Sequence, residues 1–445
     1  MNPLKHCLTL LALACAGYAQ AQALAPAPDC GARAEAVLAA LDGGNFDQAR
    51  ADFDARMLQG LSGEQLAQVW KSLPLQAGER RSRGELQTRV EGESSVAVIP
   101  LEHAKAWLEL QIHCSADGKV AGLWVRPGRA PAPPDTEASA SPDWSERAIE
   151  IDGGGPKLPG TLTLPAAKLV AGVVLVHGSG PHDRDQTIGP NRVFRDLAHG
   201  LARQGIAVLR YDKRTQVAPA GFVNAAFTVR EEVTDDAVAA IKLLRAQPEL
   251  QDRPVYVLGH SLGALLAPRI AEQAGADGLV MLAAPARPLH ELIPRQVNYL
   301  INLDGTVSDE EKAAEAQTTA DIAKVRALTE ADAKDPAPIL GLPPAYWLDL
   351  HTYQHLAQAR ALGKPILLLQ GEADYQVTMN EDFQIWQHRL RGAPQYVGKS
   401  YPGLNHLFMP AGTPPGPDDY QKAGHVDAAV IADIGEWLKD TARVP

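Results

Sequence analysis

Short, uninterrupted apolar runs recur through residues 171–400, and several segments between them carry apolar residues at helical spacing. The runs lie at 171–177, 205–211, 254–258, 278–283, 365–370 and near 395–400. Strands that are apolar along their whole length are typical of a parallel sheet covered by helices on both faces. A predicted hairpin, 147–152 and 160–165, precedes the first run. The pattern therefore predicts an α/β domain with a mostly parallel sheet.

Helices are predicted between several of these strands. One spans about 191–204, and another runs to Arg245 from a capping box formed by Thr228 and Glu231. A third follows the run at 254–258 and spans about 262–274. Strand and helix thus alternate along the chain, as a parallel sheet requires.

The first part of the chain has a different order of elements. Apolar residues recur at helical spacing over 34–41, and two more helices are predicted from 46 to about 58 and over 63–73. Three runs that alternate apolar and polar residues follow, at 95–100, 106–113 and 119–125. Helices first and antiparallel strands after predict a small α+β domain. His103 and His113 are interpreted as residues on strand faces rather than as ligands.

A proline- and alanine-rich segment separates the two parts. Residues 127–142 include five prolines and otherwise only small or charged residues, without hydrophobic periodicity. Such a composition cannot bury a core and is typical of an extended linker. The sequence therefore predicts a small domain over 29–126, a linker over 127–144 and a catalytic domain over 145–445.

The first residues have the layout of an export signal. Lys5 precedes an apolar run at 7–16, and small residues follow at 19–23, so residues 1–21 are predicted to be a cleaved signal peptide. Cleavage after Ala23 and a lipid anchor on Cys15 are the alternatives. No other segment approaches 18 unbroken apolar residues, so no transmembrane segment is expected. The protein is expected to be exported, either periplasmic or secreted.

Cysteine usage agrees with export. Two of the four cysteines, Cys7 and Cys15, lie in the predicted signal peptide, which leaves Cys30 and Cys114. An even pair in an oxidising compartment is expected to form a disulfide. Two unpaired buried thiols are the alternative.

The net charge and the sequence motifs indicate which classes of ligand the protein is expected to bind. The formal net charge is −11, and the sequence has no cluster of lysine and arginine, which argues against a nucleic-acid partner. There is no metal-ligand spacing and no phosphate-binding loop, so neither a metal nor another cofactor is expected. The sequence does not indicate the oligomeric state.

A serine lies between two glycines where a buried strand gives way to a helix. The segment is Gly259-His260-Ser261-Leu262-Gly263, and it follows the apolar run at 254–258. A sharp strand-to-helix turn crowds the backbone on both sides of the serine, which favours glycine two residues before and after it. Ser261 is therefore predicted to be a nucleophile held at the carboxyl end of the sheet, unless it only caps the helix.

A serine nucleophile needs a base and a carboxylate that orients the base. Asp374 follows the strand at 365–370, and His406 lies in a loop after the last strand, so both belong at the sheet edge where Ser261 lies. Glu372 is the alternative acid. Four competing histidines are less suited, because they are predicted on or next to helices: His351, His355, His388 and His425.

The reaction also needs donors for an oxyanion. The backbone N–H of Leu262 at the start of the helix is one predicted donor. The backbone N–H of Ser179 is the second, with Gly180 as its alternative, because glycines in His177-Gly-Ser-Gly-Pro181 allow a close approach of the backbone. An ordinary glycine turn is the other interpretation of this loop.

These motifs together resemble the serine α/β-hydrolase superfamily, specifically bacterial exported esterases of the dienelactone-hydrolase-like branch. The resemblance covers about 145–440 and rests on five motifs in order: His177 to Asp185, Tyr211 to Arg214, Gly259 to Gly263, Gln370 to Val377 and Asn405 to Phe408. It implies an α/β-hydrolase fold and carboxylesterase activity carried by Ser261, Asp374 and His406. Thr215 departs from the family, which often has glycine there. The small domain resembles an uncharacterised α+β module found before such hydrolases.

Two further groups of residues surround the predicted site. The charged residues at strand ends are interpreted as structural ion pairs: Arg184, Asp185, Asp212 and Arg214. Residues 289–362 leave the strand pattern and are predicted to form a helical cap, with capping boxes at Ser308/Glu311 and Thr329/Asp332. The apolar residues Tyr346, Trp347, Leu350 and Tyr353 either line the substrate site or form the core of the cap.

The predicted function is hydrolysis of small, short-acyl carboxylic esters through an acyl-serine intermediate. A peptidase or amidase with the same triad is the first alternative. An exported protein that binds a cell-wall ligand through its small domain is the second.

Overall fold

The computed structural model describes residues 30–91, 94–104, 106–128, 140–223 and 225–443. The chain divides into two compact units, Met1–Pro131 and Ala132–Pro445. The predicted signal peptide, residues 1–21, and most of the predicted linker lie outside the described residues. No helix of the described residues is long and apolar enough to cross a membrane.

The N-terminal unit packs four helices against an antiparallel sheet. Its helices are α1 (Cys30–Asp42), α2 (Phe46–Ala49), α3 (Ala55–Gly60) and α4 (Gly63–Ala77). Its strands are β1 (Arg80–Arg83), β2 (Gln87–Glu91), β3 (Ser94–His103), β4 (Trp107–Cys114) and β5 (Val120–Pro127). The order across the sheet is β1-β3-β4-β5, with β2 also paired to β3. Apolar residues of α1 pack on alternate residues of β3 and β4 to form the core.

One predicted helix of this unit is interrupted. The sequence predicts a single helix from 46 to about 58, but Phe53 leaves the helical path, is 3% exposed and bridges to Val120. Asp54 then begins a new helix, because its side chain accepts a hydrogen bond from the Met57 N–H at 2.7 Å. The predicted helix is therefore broken at Phe53, because burying this large apolar side chain replaces some of the backbone hydrogen bonds of a continuous helix.

A disulfide joins the first helix to the sheet. Cys30 on α1 and Cys114 on β4 are bonded, with both residues buried in the core of the unit. The bridge closes a loop with a sequence separation of 84 residues.

We expect the bridge to stabilise the N-terminal unit by about 4–5 kcal/mol at most, because it removes loop-closure entropy from the unfolded chain. Thiol titration of denatured, unreduced protein lacking residues 1–21 should find no free thiol, and reductant should lower the unfolding midpoint of this unit. Reductant should leave a Cys30→Ser/Cys114→Ser variant unchanged. Two free thiols before reduction would contradict the bridge.

The C-terminal unit is built on a nine-stranded sheet and a separate two-stranded ribbon. The sheet strands are β6 (Ala140–Ser141), β7 (Trp144–Ile151), β8 (Leu158–Pro165), β9 (Ala171–Val176), β12 (Ile206–Tyr211), β13 (Val255–His260), β14 (Leu279–Leu282), β15 (Ile366–Gly371) and β16 (Tyr396–Tyr401). The ribbon is β10 (Thr187–Ile188) and β11 (Asn191–Arg192). Strand pairing begins at Ala140, inside the segment predicted as linker.

The helices of this unit lie before, within and after residues 289–362, the segment between β14 and β15 that we call the insertion. They are α5 (Val193–Ala202), α6 (Arg214–Val217), α7 (Asp235–Arg245), α8 (Leu262–Ala274), α9 (Leu289–Ile301), α10 (Asp309–Ala327), α11 (Pro344–Thr352), α12 (His355–Leu362), α13 (Gln384–Leu390) and α14 (Ala428–Thr441). Short 3₁₀ turns occur at Pro219–Phe222, Pro248–Leu250, Glu330–Lys334 and Pro417–Gln421, and π turns at Arg230–Thr234 and Met379–Phe383. The predicted capping box at Ser308/Glu311 is formed. At Thr329/Asp332 one half is present, because the Asp332 carboxylate accepts from the Thr329 N–H while the Asp332 N–H bonds the Thr329 backbone carbonyl.

The strand order places the carboxyl ends of six parallel strands at one edge. The order is β16-β15-β14-β13-β9-β12-β8-β7-β6, with parallel pairing from β16 to β12 and antiparallel pairing beyond. Helices α5 and α14 cover one face, and α7, α8 and α13 cover the other. The central strands are buried on both faces, as their apolar runs predict. This is the α/β-hydrolase fold, and ligands of open α/β sheets bind at the carboxyl edge.

Candidate active site

Ser261 lies on a strained turn between β13 and α8. Its backbone has φ +55° and ψ −116°, a conformation that non-glycine residues rarely adopt. A Cβ on Gly259 would lie 2.2 Å from the Gly263 carbonyl oxygen, and one on Gly263 would lie 2.2 Å from the Val176 carbonyl oxygen. The two glycines are therefore required, because α8 starts directly against the ends of β13 and β9.

His406 and Asp374 form a buried pair at the same edge. Nδ1 of His406 lies 2.7 Å from Oδ2 of Asp374, and each residue is 5% exposed. The other oxygen of Asp374 accepts from the N–H groups of Gln376 and Val377, and Gln370 Nε2 donates to Oδ2. With the proton on Nδ1, the imidazole presents its unprotonated Nε2 as a base.

The loops that carry the pair are in direct contact. A Cβ on Gly371 would lie 2.4 Å from the Leu404 carbonyl oxygen and 2.5 Å from that of Asn405, so the end of β15 requires glycine. The Asn405 side chain accepts from the N–H groups of Leu407 and Met409. These contacts hold the turn around His406 against the residues that precede Asp374.

A second histidine ties the nucleophile strand to the His406 loop. His260 Nε2 donates to the His406 carbonyl oxygen at 2.8 Å, and Gln186 Nε2 donates to His260 Nδ1 at 2.9 Å. Burial first, and then the nearby His406, lowers the pKa of His260 to about 3. His260 therefore stays neutral beside His406, whose ring centroid is 4.7 Å away, and adds no repulsion when His406 takes up a proton.

The loop after β9 lies beside Ser261. A Cβ on Gly178 would lie 3.3 Å from the Ser261 Cβ, and the Gly178 N–H donates to Gln186 Oε1 at 3.0 Å. Ser179 is exposed, and its N–H meets no acceptor among the described residues of this unit. The Leu262 N–H belongs to the first turn of α8, where backbone donors have no helical partner. The two predicted oxyanion donors thus belong to segments next to Ser261, the start of α8 and the loop after β9.

The charged residues at nearby strand ends form ion pairs. Arg184 binds Asp212 through two nitrogens, Arg210 binds Asp185 and Arg214 binds Asp236. The pairs join the loop after β9 to β12 and to the residue that follows it, and α6 to α7. These contacts agree with the structural role predicted for Arg184, Asp185, Asp212 and Arg214.

A partly open cavity of about 200 Å³ lies between α8 and the insertion at 289–362. The cavity is lined mainly by apolar side chains, among them Leu265, Ala286, Leu289, Leu350 and Tyr353. Leu265 lies one helical turn after Ser261, because its N–H donates to the Ser261 carbonyl oxygen. Of the four apolar residues that the sequence leaves open, Leu350 and Tyr353 line this cavity.

The other two are part of the core instead. Trp347 is fully buried and donates to the Ile339 carbonyl oxygen. Tyr346 is 2% exposed and donates to Glu232 Oε2 at 2.7 Å. Within the described ranges, no group of three or more His, Cys, Asp or Glu side chains could hold a metal ion.

The sequence does not predict three functional neighbours of the site. Gln186, His260 and Lys213 each contact the loops of the site through side-chain nitrogens. All three belong to, or directly follow, the motifs that carry the family resemblance. The motifs are the only available signal, because the contacts join segments far apart in the chain.

The chain matches known proteins in both units. Residues 167–410 match the family profile described as serine aminopeptidase, S33, and residues 34–123 match one described as a protein of unknown function, DUF3887. Esterase EstD of Thermotoga maritima is 35% identical over 398 residues, which cover 88% of this chain and 92% of EstD.

Solved structures also align with the C-terminal part. The esterase domain of a Rhodothermus marinus protein is 20% identical with a TM-score of 0.41, and covers 66% of this chain and 98% of that domain. Est1E from Butyrivibrio proteoclasticus is 19% identical with a TM-score of 0.41, and covers 66% of this chain and 96% of Est1E.

Proposed function

This chain belongs to the α/β-hydrolase family described as serine aminopeptidase, S33, and we propose that it is a serine carboxylesterase whose triad is Ser261, His406 and Asp374. The observation that best supports the triad is the position of Ser261. It lies at φ +55° directly after β13, and the last residue of that strand, His260, hydrogen-bonds to the carbonyl oxygen of His406. The likeness to Esterase EstD over most of both chains supports an ester as the substrate.

The chemistry follows from the roles of these groups. His406 Nε2 takes the proton of the Ser261 hydroxyl while Oγ attacks the ester carbonyl carbon. The Leu262 and Ser179 N–H groups stabilise the oxyanion, and Asp374 stabilises the imidazolium. Collapse of the tetrahedral intermediate breaks the bond between the carbonyl carbon and the alcohol oxygen, and the alcohol leaves with the proton from His406. Water then attacks the acyl-serine by the same steps and releases the acid.

A small acyl group fits the space available. The cavity behind Leu265 measures about 200 Å³, which is below the usual range of about 300–1,000 Å³ for ligand pockets. We propose that the acyl chain of the substrate enters it from Ser261. Esters with short acyl chains are the substrate class that this volume favours.

A panel of p-nitrophenyl esters from acetate to decanoate, with the p-nitroanilide of the best acyl group, tests the proposal. We expect kcat/KM to be highest for short acyl groups and to fall by about 10-fold or more at decanoate, because excess methylenes cannot be buried. The anilide should be hydrolysed far more slowly. A higher kcat/KM for the anilide would favour the amidase alternative, and no ester hydrolysis would reject the function.

The cavity itself is tested by Leu350→Ala. Removing this side chain enlarges the cavity and should raise kcat/KM for octanoate relative to acetate. Leu300→Ala is the matched control, because Leu300 lies on α9 of the same insertion but is exposed. A profile of acyl preference that is the same in all three proteins would contradict the assignment of the cavity.

We also propose that the protein works outside the cytoplasm, in the periplasm or secreted. The Cys30–Cys114 disulfide supports this location, because such bonds persist in oxidising compartments. A cell-wall ligand for the N-terminal unit has no observation in its favour, and we propose none.

A further inference from the structure

Lys213 is buried beneath the loop that carries Ser179. Its side chain is 2% exposed, and Nζ donates to the carbonyl oxygens of Gly178 at 3.0 Å and Gly180 at 2.9 Å. The same nitrogen forms an ion pair with Glu232 Oε1 at 2.6 Å. All three of its donor positions are therefore used.

These bonds fix the direction of the Ser179 N–H. In a trans peptide the carbonyl of one residue and the N–H of the next point in opposite directions. Because the Gly178 carbonyl points at Lys213, the Ser179 N–H points away from it. The ammonium charge also polarises this peptide, which strengthens its N–H as a donor.

The acidic partner connects the ion pair to the insertion. Glu232 lies in the π turn before α7 and is 5% exposed. Its Oε1 pairs with Lys213, and its Oε2 accepts from the Tyr346 hydroxyl on α11 at 2.7 Å. A continuous chain of contacts thus runs from the insertion, through two buried charges, to the loop beside Ser261.

We propose that Lys213 and Glu232 are positioning residues for the oxyanion hole, and that Tyr346 links the placement of the cap helix α11 to that hole. A buried ion pair is not needed for stability, since well-packed apolar residues of similar volume often replace such pairs without loss. Its expected contribution is therefore to hold the Ser179 N–H in place as charge develops in the transition state. The inference rests on the proposed esterase function.

The test is a Lys213→Met/Glu232→Leu double variant, which removes both charges together and leaves no unpaired buried charge. We expect kcat for the best p-nitrophenyl ester to fall about 100-fold or more with KM little changed, as when one oxyanion donor is lost. The Ki of a trifluoromethyl ketone with the same acyl group should rise by a similar factor, because its serine adduct carries the oxyanion.

The matched control is Arg214→Met/Asp236→Leu. The Arg214–Asp236 pair is also buried, and Arg214 directly follows Lys213 in the chain. Arg214, however, bonds the Gly153 carbonyl oxygen rather than the loop at 177–181. Its kcat and Ki should stay close to those of the wild type, even if its unfolding midpoint changes. A kcat and Ki close to wild type in the folded Lys213/Glu232 variant would overturn the proposal.

Tyr346→Phe decides the question if the double variant does not fold. It keeps the buried ring and removes only the hydrogen bond to Glu232, so a several-fold lower kcat and an equal rise in Ki are expected. Tyr396→Phe is its control, because the Tyr396 hydroxyl is buried without a partner among the described residues. Equal kcat and Ki in Tyr346→Phe and Tyr396→Phe would overturn the proposed link between α11 and the oxyanion hole. Absence of ester hydrolysis in the wild type would instead reject the esterase function.

Discussion

Replacement of Ser261 by alanine is expected to lower kcat for p-nitrophenyl ester hydrolysis about 10⁶-fold, the size of effect seen when a serine nucleophile is removed. In the proposed mechanism the Ser261 hydroxyl forms the acyl-enzyme, and the oxyanion donors alone cannot replace it. An alanine at this position would occupy the same turn at φ +55°, so the fold and the unfolding midpoint should be retained. A fluorophosphonate probe should label the wild type and not the variant.

The control for this variant is Ser400→Ala. Ser400 lies on β16, and its hydroxyl donates to Glu372 rather than to any group of the triad. Its kcat should equal that of the wild type within a factor of about two, as is usual for a surface change. If Ser261→Ala kept more than a hundredth of the wild-type kcat, Ser261 would not be the nucleophile.

The sheet and the nucleophile turn can be predicted because their signals are local. A strand buried on both faces is apolar throughout, which is visible for β9, β13 and β15 in the sequence itself. Gly259 is likewise required by Gly263, four residues along the chain, although Gly263 itself is required by Val176 on β9. Asp374 and His406 can be predicted because each follows a strand that ends at the same edge.

Other elements give no local signal. Strand β1 consists of Arg80–Arg83 and is exposed along its whole length, so neither its composition nor its periodicity indicates a strand. The break at Phe53 depends on a contact with Val120, which is distant in the chain. The same holds for the site: Lys213 and Glu232 have a role only because the fold brings them beneath Gly178.

The choice between the two acids near the end of β15 is also decided by contacts across the fold. Asp374 is buried against His406, whereas Glu372 is exposed and accepts from the Ser400 hydroxyl. The two residues are two positions apart, and the sequence predicts Asp374 with Glu372 as the alternative. The two acids can therefore be compared directly through one isosteric variant of each, Asp374→Asn and Glu372→Gln.

Asp374→Asn is expected to lower kcat about 10⁴-fold, because an amide in this position favours the wrong tautomer of the histidine. The Asn oxygen can still accept from the Gln376 and Val377 N–H groups. Its NH₂ group then faces His406 Nδ1, which must become an acceptor, so the proton moves to Nε2 and the base is lost.

Glu372→Gln is the matched control, since it makes the same chemical change two residues away. Steady-state kinetics of both variants, with thermal unfolding to confirm the fold, should leave Glu372→Gln near the wild-type kcat. If Glu372→Gln instead lost as much activity as is expected for Asp374→Asn, the acid of the triad would be Glu372. The exchange would then require the loop after β15 to rearrange on substrate binding, because Asp374 is the acid that lies 2.7 Å from His406 Nδ1 in this structure.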